Sequence, residues 1–193
     1  MSEVAWRRLD VPGSETARLE HADGGWRLTG TAQFEHEGRD CRLDYRVECD
    51  AGWRTTVAHV AGSVGGEAIG VAIEVDGDGR WRLNGRECPQ VDGCIDVDLN
   101  FSPSTNLLPI RRLRLAVGEE AKVRAAWLRF PGFVLEPLEQ RYRRTGEHAW
   151  RYESANGAFV RDLMVNSDGF VVRYPGTWEP ASSSSDDTEP NPS

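Results

Sequence analysis

DVDLNFSPSTNLLPIRRLRL, residues 96–115, is where the sequence changes its rhythm. Asp96 to Phe101 continues an alternation of apolar and polar residues that begins at Ile95, the period-two signature of a strand. Ser102-Pro103 breaks it. Beyond the break Asn106, Ile110 and Leu113, or Leu107, Ile110 and Arg114, share faces at helical spacing. Pro109 would interrupt a long helix but is tolerated in the first turn of a short one, which Ser102 or Ser104 could cap. One short helix is expected between Pro103 and Leu115, and no other stretch of the chain is a good helix candidate.

Outward from this segment the alternation takes over. Cys41, Leu43, Tyr45, Val47 and Cys49 alternate with Arg42, Asp44, Arg46 and Glu48, and the same period recurs at Ile69, Val71, Ile73 and Val75. Turn signals separate such runs: Asp23-Gly24-Gly25, Gly65-Gly66, Asp76 to Gly79, Asn84-Gly85, Asn156-Gly157 and Asp168-Gly169. Short strands joined by Asp-Gly and Asn-Gly turns describe an antiparallel meander, a mainly β protein. Residues 123–130 and 169–174 carry apolar groups on both faces, so some strands are covered on both sides. Something must fill the inside of a curved sheet.

With 193 residues, one domain is expected, and 39% hydrophobic with 28% charged residues describe neither a disordered nor a membrane chain. The domain should end near Trp178, because residues 179–193 are acidic and rich in serine and proline, with nothing to bury. A disordered tail is expected there. The net charge of -8 argues against a nucleic-acid partner, which needs a basic face. Lys122 is the only lysine, a bias read here as base composition. The opening MSEVAWRRLDVPG lacks the pattern of a signal peptide, and no apolar run approaches the ~20 residues of a membrane span, so a cytoplasmic protein is expected. Cys41, Cys49, Cys88 and Cys94 form no C-x-x-C pair, and reduced, buried thiols are expected.

Chemistry-bearing motifs are few. Asp96, Asp98 and Asn100 match the start of a calcium loop, but Phe101 and Leu107 stand where its glycine and glutamate belong. Two carboxylates two residues apart on a strand suit acid–base work, although a solvated strand face is the plainer reading. Glu74 to Gly79 reads as a hairpin turn, and nucleophile-elbow, P-loop and dinucleotide fingerprints are absent. The four histidines stand far apart, so no metal or cofactor is expected. Seven tryptophans suit a core, and some of them a ligand wall. If the helix is buried, at least one of Arg111, Arg112 and Arg114 must reach a carboxylate, and Asp96 and Asp98 are the nearest in sequence.

Gly93 to Leu99 running into Ser102-Pro103-Ser104-Thr105-Asn106-Leu107-Leu108-Pro109-Ile110-Arg111-Arg112-Leu113 resembles a glycolipid-binding family first defined as a domain of unknown function. Trp53-Arg54-Thr55, Gly79-Arg80-Trp81, Gln140-Arg141-Tyr142 and Asp168 to Gly176 extend the resemblance to about Trp178. It implies a spiral β-roll, a long antiparallel sheet of many short strands wrapped around a single short helix, and a homodimer. It supplies no catalytic residues. Two departures stand out: Leu107 where a small polar residue is expected, enlarging the apolar surface near the turn, and Asn166 in place of an acidic residue.

The resemblance implies a non-catalytic protein that holds a lipid or glycolipid in the concavity of the roll. Candidate ligand-binding residues are Asn106, Arg111, Arg112, Asp96, Asp98, Gln140, Tyr142 and Trp81. Two alternatives remain open: an isomerase or hydrolase using Asp96 or Asp98 as general base, and a dimeric interaction protein without a small ligand.

Overall fold

The computed structural model describes residues 1–181; residues 182–193, most of the expected tail, lie outside the described residues. Eight strands follow one another as hydrogen-bonded neighbours: β1 (Ser2–Arg8), β2 (Gly13–Ala22), β3 (Gly25–His36), β4 (Arg39–Cys49), β5 (Thr55–Val64), β6 (Glu67–Val75), β7 (Trp81–Leu83) and β8 (Arg86–Glu87). A second sheet begins with β9 (Asp96–Leu99) and continues through β10 (Glu120–Arg129), β11 (Val134–Arg144), β12 (Ala149–Ser154), β13 (Phe159–Val165) and β14 (Val171–Arg173). The last strand, β15 (Trp178–Pro180), returns to the first sheet beside β1. Glu179 and Pro180 therefore belong to the domain, past the boundary that composition suggests at Trp178. Glu179 sits opposite Arg7 and pairs with its guanidinium, a partner that lies at the other end of the chain.

The strand alternation is realised as read. In β4, Cys41, Leu43, Tyr45, Val47 and Cys49 are buried and the residues between them face outward. Asp23-Gly24, Gly65-Gly66 and Asn84-Gly85 turn their hairpins with both residues at positive φ, the geometry that matches strand twist. Glu37-Gly38 does the same without an obvious signal, since Glu rarely adopts it.

One strand pair departs from the antiparallel meander. β9 and β10 run parallel, with Ala125 opposite Asp96 and Leu128 opposite Leu99. The intervening segment crosses over through the helix, the kind of long connection that a parallel pair requires. That helix, α1 (Leu107–Leu113), follows a tight turn at Ser104–Asn106, and Pro109 is its third residue. No side chain caps α1: Ser102 Oγ accepts the Ser104 N–H at 3.1 Å and so braces the preceding turn instead. Every residue from Phe101 to Ile110 is buried, so this segment fills the interior that the curved sheet leaves. Leu107 and Leu108 together contribute about 3–6 kcal/mol of burial there. Leu107 is fully buried, so the departure at this position adds to the core and not to an exposed apolar surface.

Both margins of the two sheets are joined. Tyr174 bridges to Trp178, and the Trp6 indole N–H donates to the Val171 carbonyl at 2.7 Å. On the other side Thr55 N–H donates to Ile95 O at 3.1 Å, and Val97 N–H donates to Thr55 Oγ1 at 3.0 Å. The result is a mainly β roll around one short helix. No helix among the described residues is long and apolar enough to cross a membrane. The four cysteines are buried free thiols, and burial pushes Cys49 up to about 12 and Cys94 up to about 11.

Candidate functional site

Asp96 and Asp98 lie on a strand, and a solvated face is the plain expectation for them. The structure corrects this: Asp96 is 1% exposed, and Asp98 is partly buried. Their strand is covered on both sides, because the Ser104–Asn106 turn returns over it and Arg112 of α1 reaches back to it. The two carboxylates then meet different fates. Asp96 accepts both Nε and Nη2 of Arg112, a bidentate pair in which the carboxylate is almost wholly enclosed. Burial raises its pKa and the guanidinium opposes that rise.

Among the described residues Asp98 has no cationic partner. Its Oδ2 accepts the Gln140 amide at 2.6 Å, and the same Nε2 donates to the Tyr152 hydroxyl at 3.1 Å. Burial pushes Asp98 up to about 6, opposed by the Gln140 hydrogen bond and reinforced by the negative charge of Asp96. Beside it, Asn106 donates to Pro103 O at 3.1 Å and accepts the Tyr142 hydroxyl at 2.8 Å. Gln140 and Tyr142 thus fix the rotamers of Asp98 and Asn106 from behind.

Asp98 and Asn106 line a cleft of about 460 Å³. Its walls are mainly apolar and aromatic: Trp127, Tyr152, Phe159, Tyr174 and Trp178, with Leu138. Asp10, Asn100, Ser102, Ser154 and Thr177 are its other polar residues. The Tyr152 ring lies 6.1 Å from Phe159 and 6.3 Å from Tyr174, so the aromatic wall is itself packed. Two carboxylates, two amides and several hydroxyls against aromatic faces form a surface that hydrogen-bonds polyhydroxylated groups and covers an apolar or sugar face. The volume matches one headgroup or one short chain and not a whole two-chain lipid.

Ser102 connects the cleft to a buried network. Its hydroxyl donates to Glu15 Oε1, which also accepts the Tyr45 hydroxyl at 2.6 Å, and it lies 2.7 Å from Ser104 Oγ. Glu15 is 1% exposed and its Oε2 has no partner among the described residues. Burial pushes it up to about 8, against the hydrogen bonds from Ser102 and Tyr45 and the charge of Arg8. Glu15 stands in register with the inward Ala17 and Leu19 of β2, a signal legible in the alternation.

Of the residues singled out from sequence, Asp98 and Asn106 line the cleft, and Gln140 and Tyr142 support them. Asp96 and Arg112 form a structural pair. Trp81 belongs to the core, 1% exposed, with its indole N–H on Cys94 O at 3.2 Å. Arg111 faces a different groove, its guanidinium 5.1 Å from the Trp53 ring. Trp127, Tyr152, Phe159, Tyr174 and Trp178 were not singled out as ligand residues. Trp127 carried the clearest hint, as an indole in a strand apolar on both faces. Among the described residues no group of three or more His, Cys, Asp or Glu is placed to hold a metal.

Comparison with known proteins agrees with this architecture. A crystal structure of a DUF1089 family protein from Pseudomonas aeruginosa is 32% identical over 86% of this chain and 92% of that one, with a TM-score of 0.75. A beta-barrel-like protein of domain of unknown function DUF1849 from Brucella abortus shares only the fold: 6% identity, 91% and 92% of the two chains, TM-score 0.50. No curated protein matches the sequence. The family model described as "Putative glycolipid-binding" matches residues 3–180, and the chain belongs to that family.

Proposed function

We propose that the protein is a non-catalytic carrier or sensor that binds a glycolipid or a related amphipathic lipid in the cleft over Asp98. The observation that carries this reading is the pairing of five aromatic side chains with fixed hydrogen-bonding groups in one cleft of about 460 Å³. The concavity of the roll, where the ligand was expected, is occupied by the Phe101–Ile110 segment. The cleft therefore takes the sugar headgroup, stacked on aromatic rings and hydrogen-bonded to Asp98 and Asn106, and the acyl portion extends outside it. The family description supports the ligand class. Four buried thiols without disulfides fit action in the cytoplasm, and the working unit is a homodimer.

Titration with octyl glucoside below its micellar concentration, followed by tryptophan fluorescence, tests this. A saturable change is expected that Trp127→Ala weakens at least about tenfold and Asp98→Asn weakens less. A linear, unsaturable response identical in both variants contradicts the proposal. Sedimentation velocity tests the homodimer, and a single monomer species at high concentration removes it.

A second reading is favoured by one observation. Asp98 is a carboxylate in a cleft, without a cation among the described residues, raised to about 6, which is the environment of a general base. Asp96 has no such role, being enclosed with Arg112. A proton-transfer reaction on a bound polyol that Asp98→Asn abolishes would replace the binding-only account. Turnover unchanged in Asp98→Asn removes the enzymatic one.

A further inference from the structure

On another side of α1 lies a groove of about 410 Å³ that the proposed ligand does not use. Arg111, Arg114 and Arg144 all line it, together with Trp53, His148 and Asn166. Three guanidinium groups on the walls of one groove repel one another, and ordinarily such groups are matched to carboxylates. The neighbouring Arg112 is so matched, by Asp96. Among the described residues the other three have no carboxylate ion pair. Arg144 instead donates to the carbonyls of Leu115, Gly146 and Glu147, which fixes its position without neutralising its charge. The one carboxylate of the groove, Glu147, is at its exposed rim, 3.9 Å from His148.

Arg111 is held in place by its surroundings. Its guanidinium lies 5.1 Å from the Trp53 ring and 5.9 Å from the Trp26 ring, and those two indoles are stacked at 4.4 Å. Its stem passes so close to Gly169 that a Cβ there would sit 2.8 Å from Arg111 Cδ. Trp53 takes a left-handed conformation, φ 67°, supported by its own N–H on Asp50 O and by Asp50 Oδ1, which accepts the Gly52 and Arg54 amides. A bulky residue at positive φ costs about 1–3 kcal/mol, yet here it supplies the face on which Arg111 rests. Asn166 Oδ1 accepts the amides of Asp168 and Phe170, so the group Asn166 has left to offer a ligand is its N–H₂ donor. Positioned cations and a donor, with Glu147 at the exposed rim as the one carboxylate among the described lining residues, on a chain of net charge -8, describe a selective place for an anion.

We propose that this groove binds a phosphate group, gripped by Arg111 and Arg114 in the positive field of Arg144. The planar fork of Arg111 matches phosphate oxygens, and its stacked position lowers the ordering cost of binding. The phosphate is either free in solution or part of a lipid headgroup, and both present at least two unesterified, negatively charged oxygens to a guanidinium fork.

Calorimetric titration of the full chain with inorganic phosphate at low salt, and co-sedimentation with phosphatidylcholine vesicles with and without phosphatidylglycerol, test the proposal and separate the sources. Arg111→Gln is expected to weaken binding at least about tenfold, the loss of one or two charge-assisted hydrogen bonds. Arg114→Gln, at the exposed C-terminal cap of α1, is expected to weaken it several-fold while leaving the melting temperature within a few degrees of wild type. Binding of free phosphate without vesicle binding identifies a soluble ligand. Vesicle binding that requires phosphatidylglycerol and Arg114 identifies a headgroup. No binding of either probe, or binding unchanged in both variants, overturns the proposal. Should Arg111→Gln fail to fold, the result with Arg114→Gln decides.

Discussion

Glu15 shows how much one buried carboxyl can govern. Its ordinary pKa of 4.5 is pushed up to about 8, so the native state keeps a proton that the unfolded chain releases as pH rises past 4.5. Stability contributed in this way is complete at low pH and declines between about pH 5 and 8, by ~1.4 kcal/mol per unit for one retained proton. Glu15→Gln keeps a neutral group with an acceptor for Tyr45 and Ser102. Its melting temperature is expected to gain on wild type steadily from pH 5.5 to 8, and parallel profiles would show that Glu15 is ionised in the fold. The Tyr45 hydroxyl reaches Glu15 because Gly30 has no side chain: a Cβ there would lie 2.3 Å from that oxygen. Gly30→Ala is expected to destabilise by about 1–3 kcal/mol in urea unfolding, with the same m-value. Both effects are visible in sequence only in hindsight. Glu15 follows the inward register of its strand, but alternation alone does not say that a tyrosine two strands away will meet it.

Among the elements, α1 is the one on which the interior depends. Leu108 is 1% exposed inside the roll, and Leu108→Ala should cost about 2–5 kcal/mol by leaving a cavity that a closed sheet cannot collapse into. Arg112 anchors the same helix to β9. Arg112→Ala leaves Asp96 enclosed without a cation, and about 3–5 kcal/mol is expected to be lost in denaturant unfolding at neutral pH. A loss below about 0.5 kcal/mol would mark the pair as a solvated one. The helix was legible because helical spacing occurs only after Ser102-Pro103 and because most strands keep one face in water. The same rule misplaced Asp96 and Asp98. Period-two alternation assigns polar residues to solvent, and it fails wherever a strand is covered on both faces, as β9 is by the Ser104–Asn106 turn and the Arg112 side chain that follow it.

For the whole molecule, the roll turns five distant aromatic residues into one wall. Trp127, Tyr152, Phe159, Tyr174 and Trp178 come from β10, β12, β13, β15 and the segment between β14 and β15. No local pattern links them, so a single sequence reveals the polar half of the cleft, near the helix, and leaves the aromatic half unread. The same closure leaves the cleft and the arginine groove as separate surfaces with different linings, so the two proposed ligands can be tested independently. Native mass spectrometry of the chain purified without detergent tests the central claim most directly. A discrete adduct of glycolipid mass is expected on wild type and not on Trp127→Ala. Bare masses for both, persisting after glycolipid is added, would contradict the account.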